Sequence, residues 1–290
     1  MPQPQNTIAI VCDFDNTLSP RAMQEETLLP HLGLEPEGFW RQVEALVRDR
    51  SYESELAWMR LLLDHEGFRR LSNEDLRNMG LLLTFYPGMP AFFSEFSQTV
   101  SDPVYREYGV AIEYYVITSG LREILEGSNL KPHMKAIFGS EFDEGGDGRI
   151  RFPKRAISHT QKTQYLFRIS KGYLDMRDDV NDHVPKADLR IPFKNMIYIG
   201  DGPTDVPCFA VMSQQEGRTL AVYDPDNPNS FGKCMQLRKA DRVEEIAEAN
   251  YQPNTHLWRL LTYMVTEIAD RIVQDQRERL AGTVIPAPGH

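Results

Sequence analysis

The chain has 290 residues, 41% hydrophobic and 26% charged, with a formal net charge of -10. That is enough ordinary globular material to bury a real core. No apolar run approaches the roughly 18 residues of a membrane span. The acidic balance speaks against a general nucleic-acid binder, whose affinity comes from Lys and Arg at phosphates. It leaves room for an anionic small molecule, because a site can be locally positive on an acidic protein. The opening stretch lacks the basic-then-apolar order of a signal peptide, so the expected compartment is the cytoplasm. Cys12, Cys208 and Cys234 are too few and too scattered for a disulfide framework or a zinc cluster and read as structural thiols.

The first apolar run, Ile8 to Cys12, is short, rich in β-branched residues and cut off by polar ones, as a buried strand requires. Residues 20–85 then show only helical spacing: Phe39, Val43, Leu46 and Val47 in one stretch, Leu56, Met59, Leu62 and Leu63 in the next. Ser72 to Asp75 has the pattern of a capping box, and Pro87-Gly88 punctuates the end of the segment. Strand-like runs resume at Tyr114–Ile117, Ala136–Phe138, Met196–Ile199 and Leu220–Tyr223, with helical patterns between most of them. Gly145–Gly148 reads as a hairpin turn. Asp175–Pro192 reads as an extended surface loop, in which Asp178, Asp179, Asp182 and His183 have no recognisable metal-ligand spacing. Leu257, Leu260, Leu261, Met264, Ile268 and Ile272 mark a final helix. The alternation predicts an α/β fold: a Rossmann-like parallel sheet with helices on both faces. Residues 1–19 and 86–250 form the core, 20–85 a helical insert after the first strand, and 251–290 a C-terminal helix and tail.

Four polar clusters fall at strand ends or helix starts. Asp13-Phe14-Asp15-Asn16-Thr17 follows the first strand. In an extended backbone, residues two apart project to one side, so both carboxylates would enter one pocket and need a cation or a shared proton; a plain turn is the alternative. Thr118-Ser119-Gly120 follows the second run and offers hydroxyls and N–H groups to a phosphate, or simply a helix N-cap. Ser158–Gln161 resembles a capping box that places Lys162 in a helix's first turn. A cation there opposes the helix dipole unless an anion lies nearby; the alternative is an ordinary surface lysine. Gly200-Asp201-Gly202-Pro203-Thr204-Asp205 follows another strand and brings two more carboxylates, oxygen ligands of the kind hard Mg²⁺ takes.

Acid, hydroxyl, base and acid at successive junctions of one sheet resemble the haloacid dehalogenase-like superfamily. Its Asp-x-Asp-x-Thr motif stands here as Asp13 to Thr17, its Ser/Thr as Thr118, its Lys as Lys162, and its Gly-Asp-Gly-x-x-Asp as Gly200 to Asp205. The match runs from residue 8 to about 223, and the helical insert sits where phosphoserine phosphatase-like members carry a helical cap. The resemblance implies a Mg²⁺-dependent phosphatase with Asp13 as nucleophile and Asp15 as acid/base. Thr118, Ser119 and Lys162 would bind phosphate. Asp13, the backbone carbonyl of Asp15, and Asp201 would be metal ligands, with Asp205 orienting Lys162 or a metal-bound water. The second acid, Asp15, favours phosphate chemistry over carbon–halogen cleavage. A receiver-like domain or a catalytically silent phosphate-binding protein on a related fold is the rival reading. A lid over the site implies a small phosphorylated metabolite rather than a phosphoprotein or nucleic acid. Phosphoserine phosphatases carry a substrate-binding Glu nine residues after the nucleophile, where this chain has Ala22; Glu25 or Glu26 is the nearest substitute. The insert holds eight arginines and no lysine, so one of them could grip a second anionic group, with the chain's general bias toward arginine over lysine as the alternative. Trp40 and Trp58 are read as core of the insert, with lining of the pocket as the alternative.

Overall fold

A computed structural model describes residues 4–283. Residues 1–3 of the expected core and 284–290 of the expected tail lie outside the described residues.

Among the described residues seven strands form one sheet: β1 Thr7–Cys12, β2 Ala111–Leu121, β3 Ala136–Glu144, β4 Ile150–Arg155, β5 Met196–Gly200, β6 Arg218–Tyr223 and β7 Glu245–Glu248. Their order is β4-β3-β2-β1-β5-β6-β7, and every neighbouring pair is parallel except the β3–β4 hairpin. β1 lies in the middle because its residues from Ile8 to Cys12 are apolar and can be covered on both sides. Ile8, Ile10 and Cys12 enter one apolar cluster, Ala9 and Val11 the other, the period of two that a doubly covered strand gives. On the first face lies the helix His256–Thr283, burying Leu257, Leu261, Met264 and Ile268. The second face is covered by helices Lys162–Lys171 and Val206–Gln214, through Tyr165, Leu166, Ile169, Phe209 and Met212.

From Met23 to Glu107 the chain is helical. Pro36–Arg50 and Ser54–Asp64 are the long elements of the expected insert, and Asn73–Met79 starts on the capping box read from Ser72 and Asp75. Two positions expected on the buried stripe, Val47 and Leu56, are instead 38% and 41% exposed. The insert has no separate core. Phe39, Trp58 and Leu76 belong to the same cluster as Phe14 and Leu18 of the loop after β1. Its last helix docks on helix Arg122–Glu126 with backbone against backbone. A Cβ on Gly127 would lie 1.9 Å from the Arg77 carbonyl oxygen, and one on Gly80 2.2 Å from that of Ile124. Only glycine permits this approach.

Two strands escape the sequence pattern. β7 is four residues with an acid at each end, and β4 is charged and carries Pro153; both are edge strands, where such residues are tolerated. The junction expected after Ile117 is also displaced. Strand β2 runs on to Leu121 across a register shift between Ile117 and Leu121, so Thr118, Ser119 and Gly120 are strand residues and not a helix N-cap.

Candidate active site

The chain moves away from β1 in one direction through β2, β3 and β4 and in the other through β5, β6 and β7. The switch therefore falls between β1 and β5, where open α/β sheets form their ligand crevice. Asp13 stands there. Its N–H still bonds the Ile199 carbonyl at 2.9 Å, so the residue is fixed as the last rung of the sheet. The chain then turns sharply: the Phe14 carbonyl accepts from the N–H groups of Thr17, Leu18 and Ser19, and Asn16 takes a left-handed φ of 57°, which Asn tolerates. Phe14 is driven into the core while Asp13 and Asp15 face one cavity. The Asp15 Oδ1 accepts the Met23 N–H at 2.8 Å, leaving Oδ2 for other work. Tyr251 ties the turn down by donating its hydroxyl to the Thr17 carbonyl at 2.8 Å.

The other expected residues gather around this point. Thr118, Ser119, Lys162 and Asp201 line the same cavity of about 290 Å³. The Thr118 Oγ1 accepts the Gly120 N–H at 3.0 Å, which leaves its proton free to donate. Lys162 is 1% exposed, and its Nζ lies 2.9 Å from both Asp13 Oδ2 and Asp205 Oδ1. Burying an ammonium costs several kcal/mol, but at an effective dielectric near 20 each of these pairs attracts by on the order of 6 kcal/mol. The ammonium therefore stays charged: burial works against it, and the two carboxylates hold it above the ordinary lysine range. The surface-lysine alternative is excluded. The expected capping box at Ser158 forms only in part. The Gln161 Oε1 accepts the Ser158 N–H at 3.1 Å, but the Ser158 hydroxyl caps nothing, because residues 158–161 make a separate turn before the helix begins at Lys162.

Asp205 is fully buried beneath the cavity and holds three donors: Lys162, the Tyr198 hydroxyl at 2.7 Å and the Asp201 N–H at 3.1 Å. The carboxylates of Asp13, Asp201 and Asp205 lie within 4.8 Å of one another. Crowded acids out of water resist ionisation. Burial, offset by Lys162 and reinforced by Asp205, leaves Asp13 at about 6. Burial and the Asp13 charge raise Asp15 to about 7, and burial with Asp205 and Asp13 raises Asp201 well above the carboxylate range. Asp205 is the key to the floor, and Gly200 makes room for it. A Cβ at Gly200 would stand 2.3 Å from Asp205 Oδ2. Gly200→Ala is therefore expected to lower unfolding stability by about 2 kcal/mol and to weaken activity, because Asp205 must move away from Lys162. Thermal melts alongside rates check this; an unchanged melting temperature would refute the packing argument.

Several cavity residues were not singled out for the site. Trp40 and Trp58 line it from the insert, with Gln24, Ser54 and Glu55; His159 and Lys233 line it from the core. The two tryptophans thus do more than pack the insert. Glu25 and Glu26, the expected substitutes for a substrate-binding Glu, are engaged elsewhere: Glu25 accepts the Trp40 indole N–H at 2.7 Å, and Glu26 accepts the Thr84 N–H at 3.0 Å. None of the insert's eight arginines lines the cavity. One signal for Glu55 was present in the sequence, since Glu55 falls on the helical stripe of Trp58, Met59 and Leu62, a carboxylate where a hydrophobe belongs.

No protein-family model matches the chain. An uncharacterized protein of Borreliella burgdorferi is 32% identical over 284 residues, covering 89% of this chain and 96% of that protein. Among solved structures, a phosphoserine phosphatase captured as an analogue of its phospho-aspartyl intermediate is 15% identical with a TM-score of 0.56, over 89% of this chain and 99% of its own. A probable phosphoserine phosphatase of Vibrio cholerae gives 13% and 0.57, over 95% of this chain and 68% of its own. A haloacid dehalogenase-family hydrolase of Salmonella enterica serovar Typhi gives 16% and 0.53, over 84% and 68%. The chain belongs to one family with the Borreliella burgdorferi protein and has the fold of the haloacid dehalogenase-like superfamily.

Proposed function

We propose that the chain is a Mg²⁺-dependent phosphatase that hydrolyses a small phosphomonoester through an aspartyl-phosphate on Asp13. The observation that carries this reading is the Lys162 ammonium clamped between Asp13 and Asp205 on the floor of a cavity that also exposes Asp15, Thr118 and Asp201. Four carboxylates around one ammonium leave an excess of negative charge that a hard divalent cation would balance, and oxygen donors are what Mg²⁺ takes. Asp13, Asp201 and the backbone carbonyl of Asp15 would hold it; Asp205 has its oxygens engaged by three donors. When bound, Mg²⁺ supplies charge neutralisation between nucleophile and phosphate.

The chain's own groups do the rest. A carboxylate oxygen of Asp13 attacks phosphorus in line. The phosphorus–oxygen bond to the alcohol breaks, and Asp15 gives the leaving oxygen a proton. Its Oδ2 is the oxygen for this, since Oδ1 accepts the Met23 N–H. In the second step Asp15 takes a proton from water, the water oxygen attacks phosphorus, and the bond to Asp13 breaks to release inorganic phosphate. Lys162 and the Thr118 hydroxyl bind the non-bridging oxygens as charge shifts onto them. The insert roofs the cavity with Trp40, Glu55 and Trp58, which limits the substrate to a small molecule and excludes water.

The test is phosphate release from p-nitrophenyl phosphate with Mg²⁺ and with chelator. Activity is expected only with the metal. Asp201→Asn, which removes a charged ligand, is expected to raise the Mg²⁺ concentration for half-maximal rate at least about tenfold, within the 10–100-fold range seen when metal-site residues are changed. An unchanged Mg²⁺ dependence in a folded variant would refute the metal assignment.

A further inference from the structure

The floor and roof of the cavity differ in charge. The floor carries the ammonium of Lys162 among acids, and Lys233 and His159 line the wall from the core; the insert contributes Glu55 and two indoles and no cation of its own. Glu55 is 5% exposed, on the buried stripe of the helix Ser54–Asp64. A carboxylate there loses hydration, which demands a compensating charge or donor. Its one polar side-chain partner among the described residues is His159, whose Nε2 lies 3.5 Å away and whose side chain is 48% exposed. That contact is too long for a good hydrogen bond. None of the insert's arginines lines the cavity, and the second lysine that does, Lys233, makes no ion pair with Glu55. Trp40 is held in place by its N–H bond to Glu25, and indole faces attract cations.

We propose that Glu55, Trp40 and Trp58 form a subsite for an ammonium group, and that the substrate is a phosphorylated amino alcohol. This rests on the phosphatase reading above. The phosphate lies on the floor against Lys162 and Thr118, and the ammonium at the other end supplies the counter-charge Glu55 lacks. A phosphorylated hydroxy acid would set a carboxylate against Glu55 with no arginine to offset it. A phosphorylated amino acid brings the same carboxylate beside its ammonium. A phosphate with an uncharged alkyl tail leaves the buried carboxylate with only its long contact to His159, which is the stronger ground for discrimination, because poorly paired buried polar groups cost more than missing apolar contact.

The experiment compares kcat/KM at saturating Mg²⁺ for 2-aminoethyl phosphate, propyl phosphate, phosphoserine and phosphoglycolate, with p-nitrophenyl phosphate as reference. The wild type is expected to favour 2-aminoethyl phosphate over propyl phosphate, its uncharged counterpart of equal length, by about tenfold or more. Over phosphoglycolate the expected factor is about a hundredfold. Glu55→Gln is expected to bring the aminoethyl-to-propyl ratio to near one, mainly through KM. A Glu55 that merely latches the insert to the core through His159 would lower all substrates together and leave that ratio intact, which would overturn the proposal. So would a wild-type preference for phosphoserine or propyl phosphate, and this comparison holds even if Glu55→Gln does not fold. Turnover of p-nitrophenyl phosphate without any preference sinks the subsite and spares the phosphatase; no turnover of any phosphate sinks both.

Discussion

Asp13→Asn should yield a folded protein that releases phosphate at least about a thousandfold more slowly than wild type, since removing a covalent nucleophile typically costs several powers of ten. An amide oxygen cannot carry the phosphoryl group at a useful rate. The fold should survive for a reason visible in the floor. Asparagine keeps the size of the side chain and one oxygen acceptor, enough for either the Phe14 N–H, which bonds Oδ1 at 2.7 Å, or Lys162, which lies 2.9 Å from Oδ2, but not for both. It also removes one of the charges that raise Asp15 and Asp201. The variant should melt within a few degrees of wild type. Retention of more than about a tenth of the wild-type kcat would remove Asp13 from the nucleophile role.

Lys162→Met should combine a comparable loss of activity with a loss of about 3 kcal/mol in stability, because breaking a buried pair leaves uncompensated charge. Two carboxylates, Asp13 and Asp205, lose their shared partner at once. The sign of the pH dependence follows. Asp13 already sits at about 6, and removing the ammonium that lowers it pushes it higher. A carboxyl raised in the folded state contributes stability below its unfolded value, near 3.9, and loses it as pH rises through the folded value. In chelator, the variant's deficit relative to wild type should therefore be small near pH 4 and grow toward pH 8. Urea unfolding across that range measures it. A deficit independent of pH would mean that the lysine's methylenes, not its charge, hold the floor.

The sequence is most legible where chemistry and chain geometry coincide. The Asp13 and Asp201 clusters are local: a β-branched run stops and acids follow, so a strand end and its acids lie within a few letters. Lys162 was harder to place, since its partners are 149 residues before it and 43 after it in sequence, a distance no local pattern spans. Residue type singles out Thr118, but its local structure is not legible, because the register shift in β2 depends on β3. The arginines misled through composition. A guanidinium is conspicuous in sequence, yet where it points is set by the helix face, and Arg48, Arg60, Arg70 and Arg77 each pair with a neighbouring acid. Glu55 went the other way: a single acid inside an apolar stripe is easily read as a helix-start acid, and only the packing of that face shows that the residue is enclosed.

The bare-backbone seam at Gly80 and Gly127 has a mechanical corollary. With carbonyls where side chains would stand, there is no rotamer to switch and no spare volume to slide into, and the Arg77–Glu123 pair at 2.7 Å bridges the same seam. Close packing of this kind favours a fixed axle at that end of the roof. Any swing of the helices ahead of it grows with distance from the axle, as the free edge of a door travels furthest. The phosphate end of a ligand then meets a rigid anvil, while its distal group is met by the part with the longest stroke. Under the proposed function, any roof movement would fall on the ligand's distal group and leave Asp13 and Asp15 undisturbed.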